Sequence, residues 1–287
     1  MLIDFHTHAF AEKIAAKAVD QLINYYKLHT SHSGTLVELL QEENKIKTDA
    51  AVLLVAATKA SQVAPANDWV LSVKTSSLIN RDNSNPYSSL PDLIPFGTFH
   101  PDDPDWPSEI DRLRQAGCRG FKLHPEFQGI DLADPRLNPF FEAIAGKFMV
   151  LFHMGDAVKT SANKSTPKKL AAILDRFPSL TVIAAHMGGY CFWQESLEEL
   201  AGRKLYLDTS STLPYIEKNL FKKIVFKHGT DRILFGSDYP LHSPAQALAE
   251  IDSLGWLSSS QKEKILGANA AALLGINRAR TTASSLP

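Results

Sequence analysis

Short apolar runs alternate with longer amphipathic segments along almost the whole chain. Eight of the runs are brief and rich in Val, Ile, Leu or Phe, as is typical of strands that are buried on both faces. These runs lie at residues 2–5, 50–55, 94–99, 119–123, 148–152, 181–185, 205–207 and 233–235. Segments with helical spacing separate them, which predicts parallel βα units. Eight such units favour an α/β fold of the closed (β/α)₈ TIM-barrel type over an open doubly wound sheet.

Four segments depart from this minimal pattern. An insertion at 10–47 follows the first strand and predicts two helices, and a polar loop at 124–135 follows the fourth strand. Because both come after strands, we expect them over the catalytic face, where they would roof the pocket and select the substrate. The polar segment 80–91 precedes a strand and predicts a solvated loop on the opposite face. We predict one domain over 1–276 and a loose tail at 277–287.

Composition limits the partners of the chain. Of the 287 residues, 44% are apolar and 21% charged, and the net charge of −1 comes without a long Lys/Arg block. These values predict neither a nucleic-acid partner nor a membrane partner. Only two cysteines occur, Cys118 and Cys191, which is typical of a reduced compartment. With no signal-peptide pattern and no long apolar stretch, we expect a cytoplasmic protein with a small-molecule substrate. Whether it forms a homo-oligomer stays open.

The histidines carry the candidate chemistry. Seven of ten lie at or just beyond predicted strand ends: His6, His8, His100, His124, His153, His186 and His242. In a closed barrel these ends meet at one mouth. Residues two apart on a strand point the same way, so His6 and His8 can present two imidazoles to one metal ion. An isolated pair of this kind is more often structural, but His153, His186 and Asp238 each follow a strand of their own.

These motifs resemble the amidohydrolase superfamily, and most closely its amidohydrolase-related branch, which includes aminocarboxymuconate-semialdehyde decarboxylase. The matching pieces are Asp4-Phe-His-Thr-His8, His153, Ala185-His-Met-Gly-Gly189, Ile233-Leu-Phe-Gly-Ser-Asp-Tyr-Pro240 and Gly267-Ala-Asn-Ala-Ala-Ala-Leu-Leu-Gly275. They occur in order from the first residue to about Ile276.

By position, the resemblance implies one divalent metal ion held by His6, His8, His153 and Asp238. Three imidazoles and a carboxylate suit Zn²⁺ and leave room for a water or a substrate oxygen. Asp238 would also accept the proton of the metal-activated water. His186 would be catalytic or would support the site without binding the metal; the alternative is a histidine tied to the backbone behind the site.

Lys122 leaves two interpretations open. The run Gly120-Phe-Lys-Leu-His-Pro125 is similar to the sequence around the carboxylated lysine that bridges two metals in dihydroorotases. The branch matched by the other motifs is typically mononuclear, so we do not favour a second metal bound by a carboxylated Lys122. Binding of a substrate carboxylate, or pairing with an acidic residue, are the alternatives. His124 and His100 are further candidates for substrate binding, or loop histidines without such a role.

Hydrolysis of a small amide, ester or lactone by a metal-activated water is the function that we predict. Non-oxidative decarboxylation of an aromatic or unsaturated carboxylic acid fits the same metal site, because the loops set the chemistry. The loops after the strands lack clustered arginines, with only Arg136 standing out, which favours hydrolysis. A non-catalytic metal-binding barrel is the third interpretation, although such a site would be expected to have lost ligands.

Overall fold

Eight parallel strands form a nearly closed barrel in the computed structural model, which describes residues 1–79, 90–160 and 162–276, without the side chains of 74–79. The strands are Ile3–His8 (β1), Ala50–Leu54 (β2), Asp92–Thr98 (β3), Gly120–Leu123 (β4), Met149–Phe152 (β5), Thr181–Ala184 (β6), Tyr206–Asp208 (β7) and Ile233–Leu234 (β8). They pair in sequence order. The predicted (β/α)₈ TIM barrel is therefore confirmed. Most of the predicted loop at 80–91, and the predicted tail at 277–287, lie outside the described residues.

Twelve helices occur in the described parts of the chain. They are Glu12–Tyr26 (α1), Leu36–Lys45 (α2), Val63–Ile79 (α3), Trp106–Gln115 (α4), Pro125–Gln128 (α5), Asn138–Ile144 (α6), Pro167–Arg176 (α7), Trp193–Glu199 (α8), Lys218–His228 (α9), Pro244–Asp252 (α10), Ser259–Glu263 (α11) and Asn269–Leu274 (α12). The insertion after β1 thus holds the two predicted helices, α1 and α2. Over the ranges given above, no helix combines the length and the apolarity needed to cross a membrane.

Two apolar layers follow from the alternation of side chains along the strands. Leu151 of β5 packs inside the barrel with Ile183 and Leu234. Its neighbours Val150 and Phe152 instead belong to the layer between the strands and the surrounding helices. The same alternation places Lys122 of β4 on the inner side, since the adjacent Phe121 and Leu123 pack outward.

Main-chain hydrogen bonds close the barrel between β1 and the segment that follows β8. Phe5 N donates to Phe235 O, His8 N donates to Tyr239 O, and Asp238 N donates to His6 O, each at 2.8 Å. The pairing register of β1 shifts between Asp4 and Thr7. β1 also runs three residues beyond the predicted end of the strand, so His6 and His8 lie on the strand itself.

Asn67 fastens α3 to the end of β3. Its Oδ1 accepts a hydrogen bond from Thr98 N at 2.8 Å, and its Nδ2 donates to Thr98 O at 3.1 Å and to Glu109 Oε1 at 2.8 Å. Asn67 and Thr98 are both fully buried. The side chain therefore satisfies main-chain groups that water does not reach.

We expect Asn67→Ala to lower the free energy of unfolding by about 1–3 kcal/mol, because buried groups of Thr98 lose their partner. Denaturant-induced unfolding measures this change. The control is Asp68→Ala, which removes only an exposed ion pair with Arg112 of 2.9 Å and should change stability by less than about 1 kcal/mol. Equal decreases in the free energy of unfolding would show that the Asn67 contacts stabilise the fold no more than the exposed ion pair does.

Candidate metal centre

His6, His8 and Asp238 converge at the C-terminal end of the barrel. The Nε2 atoms of the two histidines are 3.2 Å apart. Asp238 Oδ1 lies 3.4 Å from His6 Nε2 and 3.7 Å from His8 Nε2. Three of the four predicted ligands therefore offer one atom each to a common point.

Hydrogen bonds on the opposite ring nitrogens orient the two imidazoles. His6 Nδ1 lies 2.9 Å from Asp208 Oδ2, and His8 Nδ1 lies 3.1 Å from Leu54 O. A carboxylate and a carbonyl oxygen accept hydrogen bonds, so both Nδ1 atoms carry the hydrogen and both Nε2 atoms present lone pairs. Metal-binding histidines in proteins are commonly held in this way. The donor set therefore fits a divalent metal ion.

Burial prepares these donors for a metal at neutral pH. It lowers the pKa values of His6 and His8 well below the ordinary histidine value, and the charge of Lys122 adds to the effect. The imidazoles are thus neutral and need not lose a proton before they bind a metal. Burial raises the pKa of Asp238 to about 7, although the Ser211 hydroxyl and Lys122 act in the opposite direction.

Lys122 lies next to the donors. It is fully buried, and its Nζ is 3.2 Å from His6 Nε2. Burial lowers its pKa to about 8, while the nearby charges of Asp238 and Asp208 raise it. Lys122 is absent from the described lining of the cavity above the donors. Its predicted contact with substrate stays a prediction.

His153 and His186 form a hydrogen-bonded pair beside the three donors. His186 Nδ1 lies 3.0 Å from Ser210 O, so it carries the hydrogen, and His186 Nε2 accepts from His153 Nδ1 at 2.9 Å. His153 Nε2 lies 3.2 Å from the hydroxyl of Tyr26. His153 therefore bonds to its neighbours in this arrangement and is not grouped with the other three donors. Its role as a ligand, and the catalytic role of His186, stay predictions.

The two remaining candidates, His124 and His100, differ in their position relative to the cavity. His124 lines the cavity and stacks on His153 with ring centroids 3.8 Å apart. His100 is absent from the described lining, and its Nδ1 accepts a hydrogen bond from Asp102 N at 3.3 Å. The structure thus brings His124, but not His100, to the cavity.

The backbone at two of these positions adopts the left-handed region. His186 has φ 59° and Asp238 has φ 67°. Non-glycine residues in this region cost about 1–3 kcal/mol each and concentrate at functional sites. The surrounding hydrogen bonds hold both residues there: Asp238 N donates to His6 O at 2.8 Å, and His186 N donates to Asp208 Oδ1 at 3.0 Å.

Asp208 is the residue that the sequence reasoning missed. It ends β7 and is fully buried. One carboxylate oxygen accepts from His6 and the other from the main chain of His186 and the hydroxyl of Ser210. A signal existed, because Asp208 follows an apolar run just as Asp238 and the histidines do.

A cavity of about 450 Å³ opens above the donors. Its floor is formed by His8, His153, His186 and Asp238. Its walls come from α1, from the loop after β2 and from the first turns of α3. The described lining includes Phe127 of the loop 124–135 but no residue of α2. The insertion therefore contributes its first helix to the roof, while its second helix packs elsewhere.

Known structures share this architecture. A 5-carboxyvanillate decarboxylase from Sphingomonas paucimobilis is 17% identical, with a TM-score of 0.67, over 96% of this chain and 99% of that one. A manganese-bound variant of the enzyme from Novosphingobium aromaticivorans is 16% identical, with a TM-score of 0.69, over 96% and 97%. A Pseudomonas putida protein assigned as a 2-pyrone-4,6-dicarboxylic acid hydrolase is 17% identical, with a TM-score of 0.64, over 96% and 98%. At these identities the likeness establishes the fold.

A comparison of the sequence with family models is more specific. No curated protein gives a significant match to the chain. One family model, that of the amidohydrolases, matches residues 3–276. Since this match spans the whole barrel with its metal-donor strands, the chain belongs to the amidohydrolase family.

Proposed function

We propose that this protein is a metal-dependent hydrolase that cleaves an ester, lactone or amide bond in a small, uncharged molecule. The observation that carries the proposal is the character of the cavity above the donors. Its described lining contains no arginine, and its one lysine, Lys13, is exposed. A carboxylate buried without a cation is strongly disfavoured. Away from the metal donors and the buried Lys122, the cavity therefore favours substrate groups that are uncharged.

One divalent ion is expected at His6, His8 and Asp238, with His153 beside them, and the nitrogen and oxygen donors favour Zn²⁺. When bound, such an ion polarises a carbonyl group and activates a water molecule. Asp208 and the carbonyl of Leu54 hold the imidazoles of His6 and His8 in the required orientation.

Asp238 is the residue that we expect to accept and release protons. Its Oδ2 accepts a hydrogen bond from the Ser211 hydroxyl, and its Oδ1 faces the histidines. The carboxylate can accept a proton from a water molecule and pass it on to the leaving group. In the overall reaction the water oxygen bonds to the carbonyl carbon, the C–O or C–N bond breaks, and the alcohol or amine leaves with a proton. We expect His186, whose Nδ1–H is held by Ser210 O, to orient the water.

Decarboxylation of an aromatic or unsaturated acid is the second candidate, because two of the structural neighbours named above are decarboxylases. The two reactions differ in product: hydrolysis releases an acid and an alcohol or amine, and decarboxylation releases CO₂. A screen of the metal-loaded protein on esters, lactones, amides and aromatic acids, with both products measured, tests the proposal. CO₂ release without hydrolysis would refute it, and bound metal without any turnover would favour the non-catalytic interpretation.

The metal assignment predicts that His6→Ala/His8→Ala protein loses its ion. We expect about one divalent ion per chain in the unaltered protein and close to none in the double variant, since two of the converging nitrogens are gone. Elemental analysis after dialysis measures this. His242→Ala provides the control, because His242 follows the same strand as Asp238 but contacts Tyr215, with 3.5 Å between His242 Nε2 and the Tyr215 hydroxyl. Full metal retention by the double variant would refute the site.

Asp208 allows a test of the orienting hydrogen bond. Asp208→Asn keeps the shape of the side chain but removes the charged acceptor of His6 Nδ1–H. Losses at such supporting positions are about 10- to 100-fold in metal affinity or activity. Competition with a chromogenic chelator measures the affinity. An unchanged affinity would mean that Asp208 only supports the fold, and unfolding of the variant by denaturant would then reveal that role.

Asp238 and His186 should differ in their effects. Asp238→Asn should weaken metal binding as well as turnover, because it removes both a donor and a proton acceptor. His186→Ala should retain most of the metal and lower kcat by roughly 10²–10⁴-fold, the range for a general acid–base group. Metal content and kcat measured on the same samples separate the two roles. An empty site in His186→Ala protein would make His186 a ligand and contradict the assignment.

A further inference from the structure

The helix α1 crosses the mouth of the barrel. It begins four residues after His8 of β1 and ends at Tyr26. The Tyr26 hydroxyl lies 3.2 Å from His124 Nε2 and 3.2 Å from His153 Nε2, and these histidines follow β4 and β5. The two ends of α1 are thus fixed on different sides of the same mouth. The cavity lies below this helix.

One face of α1 is apolar and open to the cavity. The lining residues Ile14, Ala18, Leu22 and Tyr26 recur every four residues, which places them along a single stripe. Ile14 is 48% exposed. The core-facing positions of the helix are different residues, Ala15 and Val19. Tyr26 at the end of the stripe is itself buried and Leu22 packs partly against the core, so the stripe is apolar surface that the fold covers only in part. The exposed polar residues Lys13 and Gln21 of α1 also line the cavity.

The facing wall has the same character. Most of it is apolar: Val55, Ala56 and Ala57 after β2, and Pro65, Ala66 and Trp69 in the first turns of α3, with Thr58 and Gln62 as its polar members. From Ile14 to Tyr26 the stripe spans 12 residue-to-residue steps of α1, which is about 18 Å at 1.5 Å per residue. The space between the walls is thus elongated and apolar, with the metal donors at its floor.

We propose that the substrate carries an extended, uncharged alkyl chain, which lies between the α1 stripe and the loop after β2 while the scissile carbonyl lies at His8 and Asp238. The placement of the carbonyl rests on the proposed hydrolase function. The chain class follows from the walls. A compact ring would leave much of the 18 Å stripe uncovered, and a second carboxylate would find no buried cation there.

Ester hydrolysis tests the proposal through chain length. For p-nitrophenyl esters from acetate to decanoate, kcat/KM should rise roughly three- to fourfold per added methylene until the channel is full, as expected for burial of a methylene group. Ala18→Trp fills the channel and should abolish this rise while acetate is still hydrolysed. The matched control is Ala16→Trp on the exposed face of α1, which should behave like the unaltered protein.

A binding experiment separates this inference from the proposed function. Calorimetric titration should show 1-octanol binding about 80- to 250-fold more tightly than 1-butanol, and Ala18→Trp should remove the difference. Octanol preference without hydrolysis of any ester would support the channel and refute the hydrolase. Hydrolysis that is indifferent to chain length, with no octanol preference, would overturn the channel and leave the hydrolase intact.

A second variant guards against misfolding of Ala18→Trp. Ile14→Glu changes a side chain that is already half exposed, so the fold should tolerate it. It places a carboxylate in the stripe and should reduce octanol binding and decanoate hydrolysis at least tenfold, with little effect on acetate. Unchanged decanoate hydrolysis and octanol binding in this variant would overturn the proposal.

Discussion

The hydrogen bonds that join β1 to the segment after β8 determine where the metal donors lie. His6 O accepts from Asp238 N, so these two ligands are also main-chain partners. Asp4 Oδ1 accepts from the main-chain nitrogens of both His6 and Ser237, each at 3.0 Å, and so fixes the two segments that carry the donors. The hydrogen bonds that close the barrel are therefore also the ones that bring the candidate metal donors together. A barrel left open at this seam would separate Asp238 from the histidines.

Burial then shifts the pKa values of these groups. In water the imidazoles of His6 and His8 would be partly protonated near pH 6.5, but the low dielectric of the interior keeps them neutral. The same burial raises the pKa of Asp238 to about 7. Donor atoms with free lone pairs thus stand beside a buried carboxylate. The ion that we propose would bind into this prepared set.

The sequence predicted the fold and three converging donors because both follow from local patterns. An apolar run marks each strand, and the two-residue spacing of His6 and His8 can be read directly from the sequence. The hydrogen bond between Asp208 and His6 joins residues that are 202 positions apart in the chain. The contact between Lys122 and His6 joins residues that are 116 positions apart. Only the closed barrel brings such pairs together. For the same reason the sequence did not predict that α3 forms part of the cavity wall.

The candidate metal donors and the α1 wall of the cavity belong to largely separate parts of the structure. The donors depend on the seam and on Asp208, whereas α1 buries only Ala15, Val19 and Tyr26. Cavity-facing positions such as Ala18 therefore contribute little to the core, and their size and polarity can change without disturbing the metal donors. Tyr26 is the exception, because its hydroxyl contacts both His124 and His153. Through this residue the roof contacts the histidines at the floor, and a substrate chain of the kind proposed above would lie against the side chain that bonds to His153.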